Sequence, residues 1–376
     1  MKNILVFSGG NSPERDVSVI TGALALNSLD KTVFNPVPVY VDVSGRWFTG
    51  ERLFNIDNYK TLDYIKLKEV ALFPDGVLYA VKGKRGGKRV CRPVCRAAAA
   101  LNCMHGGFGE DGSLSGMLSL CGVPLASPSV LPCAFAMDKD AAKFALKGLG
   151  VSVLPHVSFG VNDGFGGKRA CGKALPFDFP VIVKPARGGS SIGINRADDE
   201  EQLENALSYA LRFGEKAIVE PFITDFTEIN CAAFRKKSGE ITVSLCERPV
   251  KRGDILSFAD KYEGGTHVFP ADIPSEVSDE IRRLTKKVYA AFGFDGVVRI
   301  DFMLIDGAVV LNEINAVPGS LAYYLFCNTL KGFSAMLTEL IAAAEEKART
   351  EKPYLKRFDS GILSVGGAKG AKSQRE

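Results

Sequence analysis

The sequence predicts a mixed α/β protein that begins with a doubly wound parallel sheet, and three observations carry this. In the first 127 residues, short apolar runs lead into glycine-bearing loops and then into segments of helical period, the order of strand–loop–helix units. In the middle, PVIVKPARGGSSIGI reads as strand, glycine–serine loop and strand. Near the end, VVRIDFMLIDGAVVLNEINAVPG, from Val297 to Gly319, reads as a β-hairpin around an Asp306-Gly307 turn signal. A chain of 376 residues has room for two or three domains. The expected units are 1–127, 128–222 and 223–352, with 353–376 a disordered tail.

In chain order, Ile4 to Phe7 is a short buried strand, followed by the loop SGGNSPERDVS and a helix from Val17 to about Leu29. VFNPVPVYVDVSG is a second strand with an edge-like proline, and Arg46-Trp47 opens an irregular section. The basic run KGKRGGKR reads as a solvated hairpin or loop rather than an anion site. Ala97 to Met104 is a strand that leads into HGGFGEDG, an amphipathic helix and the strand VPLAS. MDKDAAKFALKGLG is a helix that ends in glycine and carries Lys139 in its first turns. DDEEQLENALSYALRFG has acids in its first turn, an arginine near its end and a glycine stop. Ala217 to Glu220 is a strand. From Glu228 the chain is β-rich through the hairpin, apart from a helix near Ser278–Phe292, and a last helix lies near Gly332–Glu351.

The hairpin carries the chemistry. Strand side chains alternate faces, so Arg299 and Asp301 share one face while Val298, Ile300, Phe302 and Leu304 fill the other. Glu313 and Asn315 share a face of the second strand. Two carboxylates and an amide oxygen suit a hard cation such as Mg²⁺, and Arg299 suits an oxyanion. A plain two-residue turn would set Asp301 opposite Asn312 and put Glu313 on the far face. The site therefore requires an odd loop or a bulge. A solvated edge hairpin is the plain alternative for any one of these residues, but it does not account for R-x-D and N-E-I-N ahead of a Pro-Gly turn.

Composition narrows the function class. Hydrophobic content of 46% with 24% charged residues describes a protein with real cores. A net charge of +4 is mild for this length and argues against a nucleic-acid surface. The nine cysteines are scattered, without a C-x-x-C, and read as reduced cytoplasmic thiols. KNILVFSGG is too quickly broken by glycine for a signal peptide, and no apolar run reaches the ~18 residues that a membrane span needs.

Other motifs add pieces. Lys184 ends a strand and is followed by PARGGSS. Glycines let the backbone approach a phosphate, N–H groups and hydroxyls donate to it, and lysine adds charge. It is not a Walker loop. GFGEDG matches G-x-G-x-x-G, but two acids inside the loop would repel a pyrophosphate, so His105 and Glu110 read as substrate-site or structural residues. Glu14 follows the first strand, where α/β domains bind ligands. It could hold an ammonium group or begin a helix. Lys261-Tyr262 sits in SFADKYEGG, a loop that could serve as a lid.

Together the blocks SGGNSPERDVS, HGGFGEDGSLSG, AMDKDAAK, VIVKPARGGSSIGI, ADKY and RIDFMLIDGAVVLNEINAVPG resemble the D-alanine–D-alanine ligase family of ATP-grasp enzymes. They run in family order and span nearly all of the chain except the tail. The resemblance implies an ATP-grasp fold, ATP and two Mg²⁺ or Mn²⁺ ions, two D-amino acids as substrates, and a cytoplasmic homodimer that serves peptidoglycan precursor synthesis. It implies that one D-alanine carboxylate becomes an acylphosphate and that the amine of the second displaces phosphate.

By the same resemblance, Asp301, Glu313 and Asn315 are the metal ligands, and Arg299 with the Gly319 N–H forms the oxyanion hole. Lys139, Lys184 and Lys261 bind phosphates with Ser191. Glu220 is the adenine hinge and Glu228 the ribose acid. Glu14, Ser190 and Tyr262 form a triad at the first substrate, which His105 also contacts. The sequence departs from the family at four places, one being Ala316 after Asn315, where the family usually has threonine. Pro221 has no N–H, so adenine contacts pass to Phe222 and Ile223. One residue is added between Glu220 and Glu228. The turn after Gly319, SLAYYLF, is short, with Ser320 and Leu321 as contacts for the second substrate. Tyr262 resembles the dipeptide-forming members rather than the D-lactate or D-serine type, although His267 lies in the same loop. A nucleotide-binding regulator without turnover is the remaining alternative, and the intact metal-ligand set argues against it.

Overall fold

A computed structural model describes residues 1–85, 88–163, 175–250 and 267–351; the tail after Lys352 and the Lys261-Tyr262 pair lie outside the described residues. The first sheet contains β1 (Lys2–Gly9), β2 (Phe34–Val41), β3 (Trp47–Thr49), β4 (Lys68–Leu72), β5 (Val77–Arg85), β6 (Lys88–Arg96) and β7 (Ala99–Asn102), in the order β6-β5-β4-β3-β2-β1-β7. β1 pairs with β2 and β7 in parallel. Its alternating residues feed two cores. Ile4 and Val6 pack with α1 (Arg15–Ser28), whereas Leu5 and Phe7 pack with α2 (Ser113–Leu120). Burial on both faces is why this strand reads as a continuous apolar run.

Three sequence expectations change here. The section after Arg46 is not irregular; it supplies four antiparallel strands, β3 to β6, that extend the sheet. β3 has only three residues, and lysines and arginines interrupt the nine-residue β5 and β6, so the section carries little apolar signal. β2 is an interior strand, but β3 pairs only with Tyr40 and Val41, so Pro36 and Pro38 face a stretch without a ladder partner. VPLAS contributes a single bridge, Ala100 to Leu125, because Pro124 cannot donate to a ladder.

The middle of the chain holds α3 (Val130–Met137), α4 (Lys139–Gly148), β8 (Val157–Gly160), β9 (Val181–Pro185), β10 (Asn195–Ala197), α5 (Glu200–Ala210) and β11 (Lys216–Pro221). The four strands pair antiparallel in the order β10-β9-β11-β8. Asp138 caps α4 by accepting from the Ala141 N–H at 3.1 Å, which sets Lys139 in the first turn.

The last part contains β12 (Thr227–Arg235), β13 (Ile241–Val243), the short pair β14 (Arg248–Pro249) and β15 (His267–Val268), α6 (Ser275–Ala291), β16 (Val297–Ile305), β17 (Ala308–Asn315) and α7 (Leu330–Thr350). β13-β12-β16-β17 form one sheet. Leu337 and Ile341 of α7 join the same core as Ile4, Val6 and Leu26. β1 and α1 are therefore packed with α7 around the turn that follows Gly319.

Candidate active site

The hairpin has the required bulge. Asp306 and Gly307 both have positive φ (48° and 79°) and close a two-residue turn between Ile305 and Ala308. The register then shifts: Phe302 pairs with Leu311, but Asp301 pairs with Glu313 and Arg299 with Asn315. Asn312 is the extra residue, and it turns Glu313 and Asn315 onto the face of Asp301. Arg299 grips Asp301 with two bonds of 2.7 and 2.8 Å, and the Asn315 amide donates to Asp301 at 2.9 Å. That donation uses the Asn315 nitrogen and leaves its oxygen for another partner. Two carboxylates and an amide oxygen on one face can hold a hard cation. Among the described residues no cluster of three or more His, Cys, Asp or Glu side chains suits a metal, so a site here depends on the amide as third ligand.

This face opens on a cavity of about 530 Å³, lined by Glu14, Ser190, Arg299, Glu313, Asn315 and Gly319 among others. A second, narrower cavity adjoins it and shares Lys139, Glu228 and Glu313 as wall. Ile182, Ile194, Phe222, Ile223 and Met303 give that second cavity apolar sides. Lys184 and Ser191 also line it, and Glu220 lies at its base. An apolar slot beside clustered lysines suits a base with attached phosphates.

The lysines are held by charge. Glu220 is fully buried and meets Lys184 and Lys143 at 2.7 Å each. Burial alone would raise its pKa, but the two ammonium groups outweigh that and pull it down to about 2. Lys143 approaches the carboxylate as an ion pair off the hydrogen-bonding line. Lys139 donates to the Gly188 carbonyl at 2.5 Å, and its own backbone N–H bonds Ala186 at 2.9 Å. Both contacts tie α4 to the glycine–serine loop. Burial lowers the pKa of Lys139.

On the other side, the Ser190 hydroxyl donates to the Glu14 carboxylate in a short bond. Gly106 permits this packing: a Cβ there would stand 2.7 Å from the Glu14 carboxylate, and its φ of +67° suits glycine. Glu110 is enclosed between the backbone N–H groups of Gly106 (2.8 Å) and Val317 (3.0 Å). Burial and the nearby Glu14 push its pKa up to about 7, against those two bonds.

His105 is buried behind this wall. Its Nε2 lies 3.0 Å from the Thr21 hydroxyl, which in turn accepts from the Ser320 N–H at 3.0 Å. The Val317 backbone carbonyl favours the protonated ring. Burial dominates and pulls the pKa of His105 down to about 4. An unfolded histidine titrates near 6.5. Stability from the neutral ring is complete above pH ~6.5 and is lost as pH falls toward 4, in total about 3 kcal/mol. We expect the wild type to lose more stability than His105→Asn between those pH values, as read by denaturant melts at each pH.

Six described non-glycine residues have positive φ; Ser190, Ser191 and Ser320 line the joined cavities, and Leu321 and Ala322 continue the same turn into the core. Left-handed backbone is costly for L-residues and persists where surroundings over-determine it. Here Leu321 and Ala322 are anchored in the core shared with α7, and Ser320 is held by Thr21.

Two family models match. The model described as D-ala D-ala ligase N-terminus matches residues 3–128, and the one described as D-ala D-ala ligase C-terminus matches 146–343. The chain belongs to the D-alanine–D-alanine ligase family. A D-alanine–D-alanine ligase from Thermosipho melanesiensis is 33% identical, covering 97% of this chain and 99% of that one. D-alanine–D-alanine ligase A from Salmonella typhimurium is 31% identical over 90% of this chain and 94% of that one. Among solved structures, the VanG D-Ala:D-Ser ligase from Enterococcus faecalis has TM-score 0.75 at 26% identity, covering 91% of this chain and 99% of that chain. The D-alanine–D-alanine ligase from Helicobacter pylori has TM-score 0.74 at 26% identity, over 91% and 98%. The fold is that of the ATP-grasp ligases.

Within this ligase fold, most sequence-selected residues come together. Glu14, Lys139, Lys184, Ser190, Ser191, Glu228, Arg299, Glu313, Asn315, Gly319 and Ser320 all line the two joined cavities, with Glu220, Phe222 and Ile223 at the inner end. Asp301 lies just beneath the surface, 1% exposed. Three expectations need correction. Leu321 is only 3% exposed and packs in the core, so it supports the turn instead of lining the cavity. His105 also acts through Thr21 and Ser320 rather than lining the cavity. The Phe222 N–H is engaged by the Pro180 carbonyl at 3.0 Å, which leaves only Ile223 of the two as a backbone donor. Lys143 was missed, although its position one helical turn after Lys139 puts the two on one face. Tyr323 and Tyr324 were missed as cavity residues; apolar-looking aromatics in a turn give no separate signal.

Proposed function

We propose that this chain joins two D-alanine molecules into D-alanyl-D-alanine, with ATP hydrolysed to ADP and phosphate. The observation that carries this is the bulged hairpin. It places Arg299, Glu313 and Asn315 on one wall with Gly319, in a cavity continuous with the lysine-rich slot. A free carboxylate is a poor electrophile, and phosphorylation makes it reactive. Lys139 and Lys184, with the N–H and hydroxyl groups of the loop at Ser191, hold the phosphates of ATP. Glu228 takes the ribose, and the apolar slot takes the adenine. Glu14 and Ser190 orient the first D-alanine toward the γ-phosphate. Arg299 and the Gly319 N–H stabilise the oxyanion formed when the second amine attacks the acyl carbon and phosphate departs.

Asp301, Glu313 and Asn315 would hold Mg²⁺ or Mn²⁺, two ions in the full site, whose charge neutralises the phosphates during transfer. The dipeptide serves peptidoglycan precursor synthesis, and a cytoplasmic homodimer is the expected state. No described helix is long and apolar enough to cross a membrane. The acylphosphate route is tested with D-alanine carrying heavy oxygen in its carboxylate. One labelled oxygen should appear in the released phosphate; label retained wholly in the dipeptide and substrate would rule the route out.

A further inference from the structure

On the cavity wall formed by β12 and the segment before β14, Glu247 and Asn230 stand side by side. Both line the large cavity, and both are buried, at 4% and 5% exposure. Their backbones exchange two hydrogen bonds, Asn230 N–H to Glu247 at 2.8 Å and Glu247 N–H to Asn230 at 2.9 Å. Residues paired this way project side chains to the same face. The Asn230 amide nitrogen points to the Glu247 carboxylate at 3.3 Å. Flipping the amide would set its oxygen against the carboxylate, so the orientation is fixed by charge. The Asn230 oxygen is left buried without a hydrogen-bond partner among the described residues. A buried orphan acceptor is uncommon and calls for a donor.

The same cavity holds Arg299 and Tyr324, and His267 packs near the Tyr324 ring at 6.4 Å. One patch thus offers a carboxylate and an orphan amide oxygen, and close by a guanidinium. That is the complement of an amino-acid zwitterion: an ammonium group has three donors and no acceptor, and its carboxylate pairs with arginine. Glu14 supplies a separate carboxylate on the N-terminal wall, away from this patch.

We propose that Glu247 and Asn230 seat the ammonium group of the second amino acid and so select an amine over a hydroxy acid as acceptor. This rests on the ligase reading. A hydroxy acid would bring one donor where three are accommodated and would leave buried acceptors unpaired, the arrangement by which polar sites reject analogues.

The test is steady-state kinetics of the full chain with ATP, Mg²⁺ and D-alanine, and with D-lactate as competing acceptor. Glu247→Gln should raise the KM of the weaker D-alanine site at least tenfold, leave the KM values for ATP and the tighter D-alanine site within twofold, and raise the D-lactate to D-alanine product ratio at least fivefold. Asn230→Ala should move the same two readouts by about threefold, and it decides the matter if Glu247→Gln does not fold. Equal rises at both D-alanine sites, or an effect confined to the Mg²⁺ requirement, would overturn the seat. A wild type that makes no dipeptide would overturn the ligase reading and the seat together, whereas a normal wild type with unaffected variants overturns the seat alone.

Discussion

Asp301→Asn lowers turnover by roughly a thousandfold or more, because the charge stabilisation that a bound cation provides is worth several kcal/mol and each tenfold in rate is about 1.4 kcal/mol. The substitution keeps size and one acceptor oxygen for the Arg299 fork, and Asn315 remains next to it. Glu313→Gln, on the partner strand opposite Asp301, should fall by a similar factor. The double variant should be little worse than either one, because residues that act as a unit are not additive. The measurements are kcat across a Mg²⁺ titration and a thermal melt. Loss of activity with a cooperative melt near that of the wild type supports a metal role. Activity within tenfold of wild type for both single variants contradicts it.

Arg299→Met is the second large effect. Removing one donor from an oxyanion site costs roughly 10² to 10³ in kcat. If Arg299 acts mainly in the transition state, kcat and kcat/KM fall together. Arg299→Lys should recover little, because an ammonium cannot reproduce the two-pronged grip of 2.7 and 2.8 Å on Asp301. Both variants also remove a partner of a buried carboxylate, which destabilises the fold. Melts separate that loss from the catalytic one: a folded Arg299→Met protein with nearly unchanged kcat removes Arg299 from the oxyanion role.

Much of this site was legible because the geometry of one hairpin is written locally. Asp-Gly sets the turn, period-two alternation sets the faces, and the need for Asp301 and Glu313 to meet requires one extra residue, which is Asn312. Helix limits were legible for the same local reason, as with the acids in the first turn of α5 and the glycine stop at Gly214. What could not be read depends on packing between distant segments. Leu321 looked like a contact residue because it follows Gly319, yet the left-handed turn at 320–322 rotates it into the core between α1 and α7. His105 looked like a substrate residue, but its ring is spent on Thr21 and Val317, contacts that join three separate stretches of chain. Glu247 and Asn230 carry no motif. They become a pair only when β12 and the following segment fold together. The antiparallel extension of the first sheet was hidden by the brevity of β3 and by the basic residues along β5 and β6.

The most direct test of the account is phosphate release by the full chain with ATP, Mg²⁺ and D-alanine, with the product identified by mass, repeated with D-lactate or D-serine added. Phosphate and D-alanyl-D-alanine should appear in equal amounts from D-alanine alone, with the dipeptide still dominant when the other acceptors are present. Nucleotide binding without phosphate release under any of these conditions would contradict it.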